Sequence, residues 1–269
     1  MAETLLDGAL QFWENTWHVK PDPRSIDWPL VRSPLPMIVW LVVYLLAVFF
    51  GPKLMKNRQP FELRGLMAGY NLLMVVWSGY MMTELHLVTY HLDNRYCTGI
   101  DYSDDPKAVR LASVIWLTYI SKGVEFSDTI IFILRKKTNQ VTFLHVYHHA
   151  VVLVVGYMAA RWYTGGISWF WPCFNSFIHF LMYSYYFVSG LGPQFQKYLW
   201  WKKYLTLMQL IQFLAGLLII IYSFWAECDH AAEWKVIMFL YLGSLFVLFS
   251  MFYQRSYQKS PKAEKGKQN

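Results

Sequence analysis

Three histidines, His145, His148 and His149, stand in HxxHH spacing inside a run of Val, Phe, Leu and Ala long enough to cross a bilayer. On a helix, positions i, i+3 and i+4 share a face, so the three imidazoles point into whatever cavity that face lines. Ionisable side chains within a membrane are rare and usually functional. Imidazoles there can act as nucleophiles, move protons or hold a metal.

Three other polar clusters lie in apolar surroundings. Lys122, Glu125 and Thr129 recur at i, i+3 and i+7, on one helical face with Asp128 beside them. A lysine or aspartate at a helix centre costs ~2.5–3.5 kcal/mol on insertion scales. Glu125 is spaced to neutralise Lys122. Asn175 and His179 lead into Met182-Tyr183-Ser184-Tyr185-Tyr186, and Thr206, Gln209 and Gln212 follow at helical spacing.

The elements that must position these groups are membrane helices. Of the 269 residues 56% are hydrophobic and only 15% charged, a membrane protein's composition. Apolar runs of about 20 residues, enough for ~30 Å of hydrocarbon, fall near 35–51, 66–88, 109–134, 141–160, 167–190, 204–226 and 234–254. That predicts an all-α integral membrane protein with seven transmembrane helices. The third run carries Lys122, Glu125 and Asp128 and the fifth carries Pro172, Asn175 and His179, so both should score poorly on hydropathy and face protein or water.

With seven spans the termini lie on opposite sides. One side collects fifteen lysines and arginines against two carboxylates, in 53–64, 135–137, 197–203 and after Arg255; the other has eight against twelve. The positive-inside rule therefore places the C-terminus in the cytosol and the N-terminus on the lumenal side. Three regions follow: a lumenal arm, 1–33; the seven-helix domain, 34–254; and a cytosolic basic tail, 255–269. The arm lacks the basic n-region of a cleavable signal, and its Trp13, Trp17 and Trp28 read as interfacial anchors. Lys265 and Lys267, fifth and third from the end of the sequence, resemble a di-lysine retrieval signal of the endoplasmic reticulum. Cys97 and Cys228 both fall in lumenal loops and are expected to pair as a disulfide. Cys173 is not read as a nucleophile, because six residues put it about 240° around the helix from His179.

In this order, KxxExxDT at Lys122 to Thr129, Leu134-Arg135-Lys136-Lys137, HxxHH at His145 to His149, HxxMYxYY at His179 to Tyr186 and TxxQxxQ at Thr206 to Gln212 resemble the ELO family of very-long-chain fatty acid elongases, the 3-ketoacyl-CoA synthases. The resemblance covers about residues 30–255. It implies that spans two to seven form a helical barrel of two inverted three-helix units around an acyl tunnel. It also implies condensation of a long-chain acyl-CoA with malonyl-CoA, giving a 3-oxoacyl-CoA, CO₂ and CoA, with no cofactor and no metal. His148 matches the family's proposed nucleophile, which would carry the acyl group as an acyl-imidazole in a ping-pong reaction.

Within that scheme His145 and His149 would orient or deprotonate His148, Asp128 would fix a tautomer, and Asn175 and His179 would polarise the malonyl thioester and its enolate. Lys122, Glu125, Arg135, Lys137, Gln140, Tyr185, Lys202, Thr206 and Gln209 would bind the acyl-CoA and malonyl-CoA, the cations suiting phosphates. His148 lies about seven residues into its span, ~10 Å deep at 1.5 Å per residue. The implied partners are membrane lipid and the ketoacyl-CoA reductase, dehydratase and enoyl reductase of the elongation cycle. No nucleic acid is expected, and a homodimer is the assembly to test for.

Two rival readings are weighed. A di-iron oxygenase also uses HxxHH, but needs about eight cavity histidines, whereas His18, His86, His91 and His230 fall on the lumenal side. A single zinc on His145, His149 and His179 would satisfy the ligand count alone. A seven-helix receptor or transporter fits the span count; four motifs meeting at one depth and the lack of any Asn-x-Ser/Thr sequon count against it.

Overall fold

A computed structural model describes residues 20–92 and 94–258. Trp13, Trp17 and the Lys265/Lys267 tail motif lie outside them. Among the described residues the secondary structure is helical, with seven long helices: α1 (Leu35–Leu54), α2 (Arg64–Thr89), α3 (Pro106–Leu134), α4 (Phe143–Trp162), α5 (Phe170–Gly190), α6 (Lys202–Trp225) and α7 (Ala232–Tyr257). Five are long and apolar enough to cross a membrane. The two that fall short are α3 and α5, which carry the Lys122–Asp128 and Asn175–His179 clusters.

Local chemistry sets the helix starts. Asp105 caps α3 by accepting from Lys107 N at 2.8 Å, with Pro106 in the first turn. Thr142 caps α4, its Oγ1 accepting from His145 N at 3.3 Å. That cap fixes where α4 begins, and so the register of its three histidines. Short 3₁₀ turns at Thr138–Gln140, Gly166–Trp169 and Pro193–Tyr198 join successive helices. Gly166 has a φ of +56°, and a Cβ there would lie 2.8 Å from Thr98 O, so the turn into α5 demands glycine.

Packing runs α2 to α3, α3 to α4, α4 to α7, α7 to α6, α6 to α5, and α5 back to α2, while α1 packs on α3 and α4. The helix ends gather at two levels. At the basic end Phe61 N donates to Leu134 O at 3.1 Å, and Lys136 Nζ donates to Lys56 O at 3.0 Å. At the other end Cys97 and Cys228 form a disulfide with Cα atoms 4.9 Å apart.

Residues 20–33 are strapped across that disulfide end. Arg161, at the foot of α4, donates through Nη1 to Val31 O and Arg32 O at 2.9 and 2.6 Å, and Ser25 Oγ donates to Ala160 O at 2.7 Å. Trp28 meets Trp116 of α3 edge-on, ring centroids 5.8 Å apart. The buried Asp22 carboxylate accepts from Arg24 Nη2 at 2.6 Å and from Thr164 Oγ1. Burial pushes this carboxyl up, but the hydrogen bonds from Arg24 and Thr164 outweigh it and hold the group below the usual aspartate range.

A depressed folded-state pKa contributes stability above the unfolded value and loses it as pH falls through the folded one. Asp22→Asn should therefore unfold at a lower temperature than the wild type in detergent at pH 7. The gap should close as the pH is lowered below about 4. Equal unfolding temperatures at pH 7 would contradict this account of the strap.

Candidate active site

The three α4 histidines form one cluster. Ring centroids of His145 and His149 are 4.4 Å apart, and those of His148 and His149 are 5.3 Å apart. His149 is buried against Phe126 of α3 and Tyr44 of α1, with centroids at 6.2 and 6.3 Å. His145 and His148 are partly buried, and His148 faces Phe249 of α7 at 6.3 Å. His145 Nε2 lies 2.7 Å from Thr129 Oγ1.

A second cluster joins α3 to α5. Lys122 Nζ donates to Glu125 Oε1 and to Asn175 Oδ1, both at 2.8 Å. His179 Nδ1 stands 3.2 Å from the same Glu125 oxygen. Lys122, Glu125 and His179 are all buried. Only a paired lysine tolerates such a position, because an uncompensated buried charge would cost several kcal/mol. Asn175 keeps its amide N–H groups for another partner, and His179 Nδ1, though 3.2 Å from Glu125 Oε1, makes no hydrogen bond among the described residues. Glu125 Oε2 and His149 Nδ1 are buried without a hydrogen-bond partner among the described residues, as befits atoms that meet substrate or water.

Asp128 Oδ2 accepts from Tyr183 OH on α5 at 2.7 Å, and the group set against His145 is Thr129. On α6, Thr206 and Gln212 are buried, whereas Gln209 is only partly so. Gln212 is the glutamine that reaches the interior. The spacing of TxxQxxQ could not choose between them; the face that α6 turns to α5 and α7 does.

A cavity of ≈ 70 Å³ begins at Lys122, Asn175, Gln212 and Tyr241 and runs toward the disulfide end, between walls from α3 to α7. It closes on Ser168, Trp171 and Trp234, where Trp234 Nε1 donates to Ser168 Oγ at 2.9 Å and Ser168 Oγ meets His230 Nε2 at 3.2 Å. On α4 its first wall residue is Val152, one turn past His148 and His149. From Lys122 back to Ile115 on α3 the slot spans about 10 Å.

The remaining candidates sit at the basic end. Lys137, Gln140 and Lys202 are exposed and Arg135 is partly buried, on the α3–α4 turn and at the start of α6. Tyr185 packs edge-on against Trp201, centroids 5.3 Å apart, which braces the segment carrying Lys202. Sequence reasoning missed Tyr44, which no motif flags. As for a metal, no three His, Cys, Asp or Glu side chains among the described residues are grouped to hold one ion.

Fold and site together define a multi-pass helical membrane protein whose interior carries a histidine cluster beside a buried charged network. The chain belongs to the ELO (GNS1/SUR4) family, which it matches across residues 29–265. It is 41% identical over 265 residues to very long chain fatty acid elongase 4 of Mus musculus, covering 98% of this chain and 85% of that relative. Very long chain fatty acid elongase 7 of Rattus norvegicus is 39% identical, covering 98% of this chain and 95% of the relative. Very long chain fatty acid elongase 2 of Mus musculus is 43% identical over 241 residues, 89% of this chain and 82% of the relative. An elongase role in fatty acid metabolism follows from these relationships.

Removing one member of the α3–α5 network should cost more than removing the pair. Glu125→Gln leaves Lys122 buried with Asn175 alone and should destabilise the folded protein by about 3 kcal/mol. Lys122→Met combined with Glu125→Gln should recover part of that loss. Simple additivity of the two single losses in thermal unfolding would show that the pair carries no coupling.

Proposed function

We propose that this protein is a very-long-chain 3-oxoacyl-CoA synthase, an acyltransferase that condenses a long-chain acyl-CoA with malonyl-CoA. The observation that carries this reading is that α3 joins both groups: its Thr129 and Phe126 meet His145 and His149 of the histidine cluster, while its Lys122 and Glu125 meet Asn175 and His179, with Lys122 and Asn175 at the head of a slot. At ≈ 70 Å³ the slot takes only the first few methylenes of an acyl chain, so a long chain must widen it toward Trp171 and Trp234.

In the first half-reaction a neutral His148 ring nitrogen attacks the thioester carbonyl. The C–S bond breaks, CoA leaves as the thiol with one proton, and the acyl group remains as an acyl-imidazole. In the second, malonyl-CoA loses CO₂, and its two electrons pass to an enolate that Asn175 N–H and His179 stabilise. The enolate carbon attacks the acyl carbon and the C–N bond breaks. The departing ring nitrogen takes up one proton from water, which regenerates neutral His148, and a 3-oxoacyl-CoA two carbons longer is released. With that one proton consumed, carbon, charge and protons balance without a redox cofactor. Lys122 and Glu125 hold Asn175 and His179 in place, while Arg135, Lys137, Gln140 and Lys202 receive the CoA phosphates at the basic end, with Tyr185 bracing the rim and Thr206 and Gln209 lining the approach.

The reading carries an architecture. All seven helices span the membrane, α3 and α5 sheltering their polar clusters inside. The closed circuit of helix contacts supports a six-helix barrel, in which α2–α4 and α5–α7 are inverted units: α2 meets α5 and α4 meets α7. The basic end faces the cytosol and the disulfide end the lumen of the endoplasmic reticulum, where cystine persists. The reductases and dehydratase of the elongation cycle would take the product on the cytosolic side.

The test is product analysis. Purified protein supplied with stearoyl-CoA and malonyl-CoA, and no nicotinamide, should release one CO₂ per 3-oxoacyl-CoA two carbons longer. His148→Ala should lower that rate by at least about 10³-fold. Failure of the wild type to form the extended ketone, or full turnover by the variant, would refute the assignment.

A further inference from the structure

Helix α1 stands outside the circuit that α2 to α7 complete, yet it sends one polar side chain inward. Its seam is Met37, Trp40, Tyr44, Val48 and Gly51, at heptad-like spacing, whereas Val39, Val43, Leu46 and Phe50 on other faces are exposed. The contact is close. A Cβ on Gly123 would fall 2.3 Å from the Trp40 ring, and one on Gly51 would fall 2.9 Å from Ile133. Seated at that depth, Tyr44 stacks on Phe126 with centroids 4.0 Å apart and planes 15° from parallel, and it is only 2% exposed. Its hydroxyl accepts from Thr129 Oγ1 at 3.3 Å, and Thr129 is in turn 2.7 Å from His145 Nε2.

We propose that Tyr44 is a positioning residue for the histidine cluster, acting through Thr129 to fix the orientation and tautomer of His145. A threonine hydroxyl has one proton to give. With that proton directed to Tyr44, Thr129 can only accept from His145, so the ring proton sits on Nε2 and Nδ1 keeps its lone pair. His145 then presents a fixed ring to His149, which in turn lies against His148. The outer helix is thus part of the machinery that aims the proposed nucleophile. This inference rests on the acyl-transfer reading of His148.

Tyr44→Phe keeps the stack on Phe126 and removes only the hydroxyl; Thr129→Val removes the relay and Thr129→Ser retains it. In steady-state assays with stearoyl-CoA and malonyl-CoA, Tyr44→Phe and Thr129→Val should each lose about ten-fold in kcat. KM for both substrates and the unfolding temperature should hold. Thr129→Ser should stay near the wild-type rate, and Tyr44→Phe combined with Thr129→Val should be no slower than Thr129→Val alone. A Tyr44→Phe enzyme within about two-fold of wild-type kcat, or one slowed only through KM, would overturn the proposal. If His148→Ala is inactive in the same assay, that result removes Tyr44's role and leaves the acyl-transfer site standing. Full activity of His148→Ala would remove both.

Discussion

The structure depends on one buried ammonium group. Lys122 sits buried near the middle of α3, where an unpaired charge would be rejected, and it is held by Glu125 on its own helix and Asn175 on α5. An ion pair in such surroundings stabilises little by itself, since the Coulomb gain is offset by the loss of hydration. Its effect is to dictate neighbours. Only a helix that brings an acceptor to within 2.8 Å can pack there, so α5 must present Asn175, and one turn further on the same face His179 meets Glu125 at 3.2 Å. The contacts that a buried ammonium group requires are the ones that assemble the site.

From that pairing the rest of the interior follows. With α5 drawn to α3, Tyr183 reaches Asp128 at 2.7 Å, so a second α3 carboxyl finds a partner one turn below the first. Helix α4, started by the Thr142 cap, packs on the next face of α3 and lays His145 on Thr129 and His149 beside Phe126. Beyond them the walls become apolar, down to Trp171 and Trp234. A water-poor interior of this kind strengthens the few polar contacts it contains, and it suits a reactive acyl intermediate that bulk water would hydrolyse.

Much of this could be read from the residues. Helical spacing placed His145, His148 and His149 on one face, and i+3 spacing matched Lys122 with Glu125, because both relations are local to one helix. The weak hydropathy of α3 and α5 followed from the same polar residues. Relations between helices were harder. Asp128 stands beside the cluster in sequence, but its partner Tyr183 is fixed by the approach of α5; Gln212, not Gln209, reaches the slot because of how α6 is rotated. Tyr44 gave no signal. It lies in a helix that is apolar all round, and the contacts of Trp40 with Gly123 and of Gly51 with Ile133 show which of its faces meets α3. Residues 20–33 likewise read as an interfacial arm, whereas Asp22, Arg24 and Thr164 fasten them to the end of α4.

The central claim is that an imidazole, not a thiolate, carries the acyl chain. Intact-protein mass spectrometry after incubation with stearoyl-CoA alone, followed by peptide mapping, tests it most directly. The account predicts a gain of one acyl group on the peptide containing His148, absent in His148→Ala and discharged when malonyl-CoA is added. Condensation at full rate with no acyl adduct at any time would contradict it, and would mean that the enolate attacks bound acyl-CoA directly while His148 serves as a base.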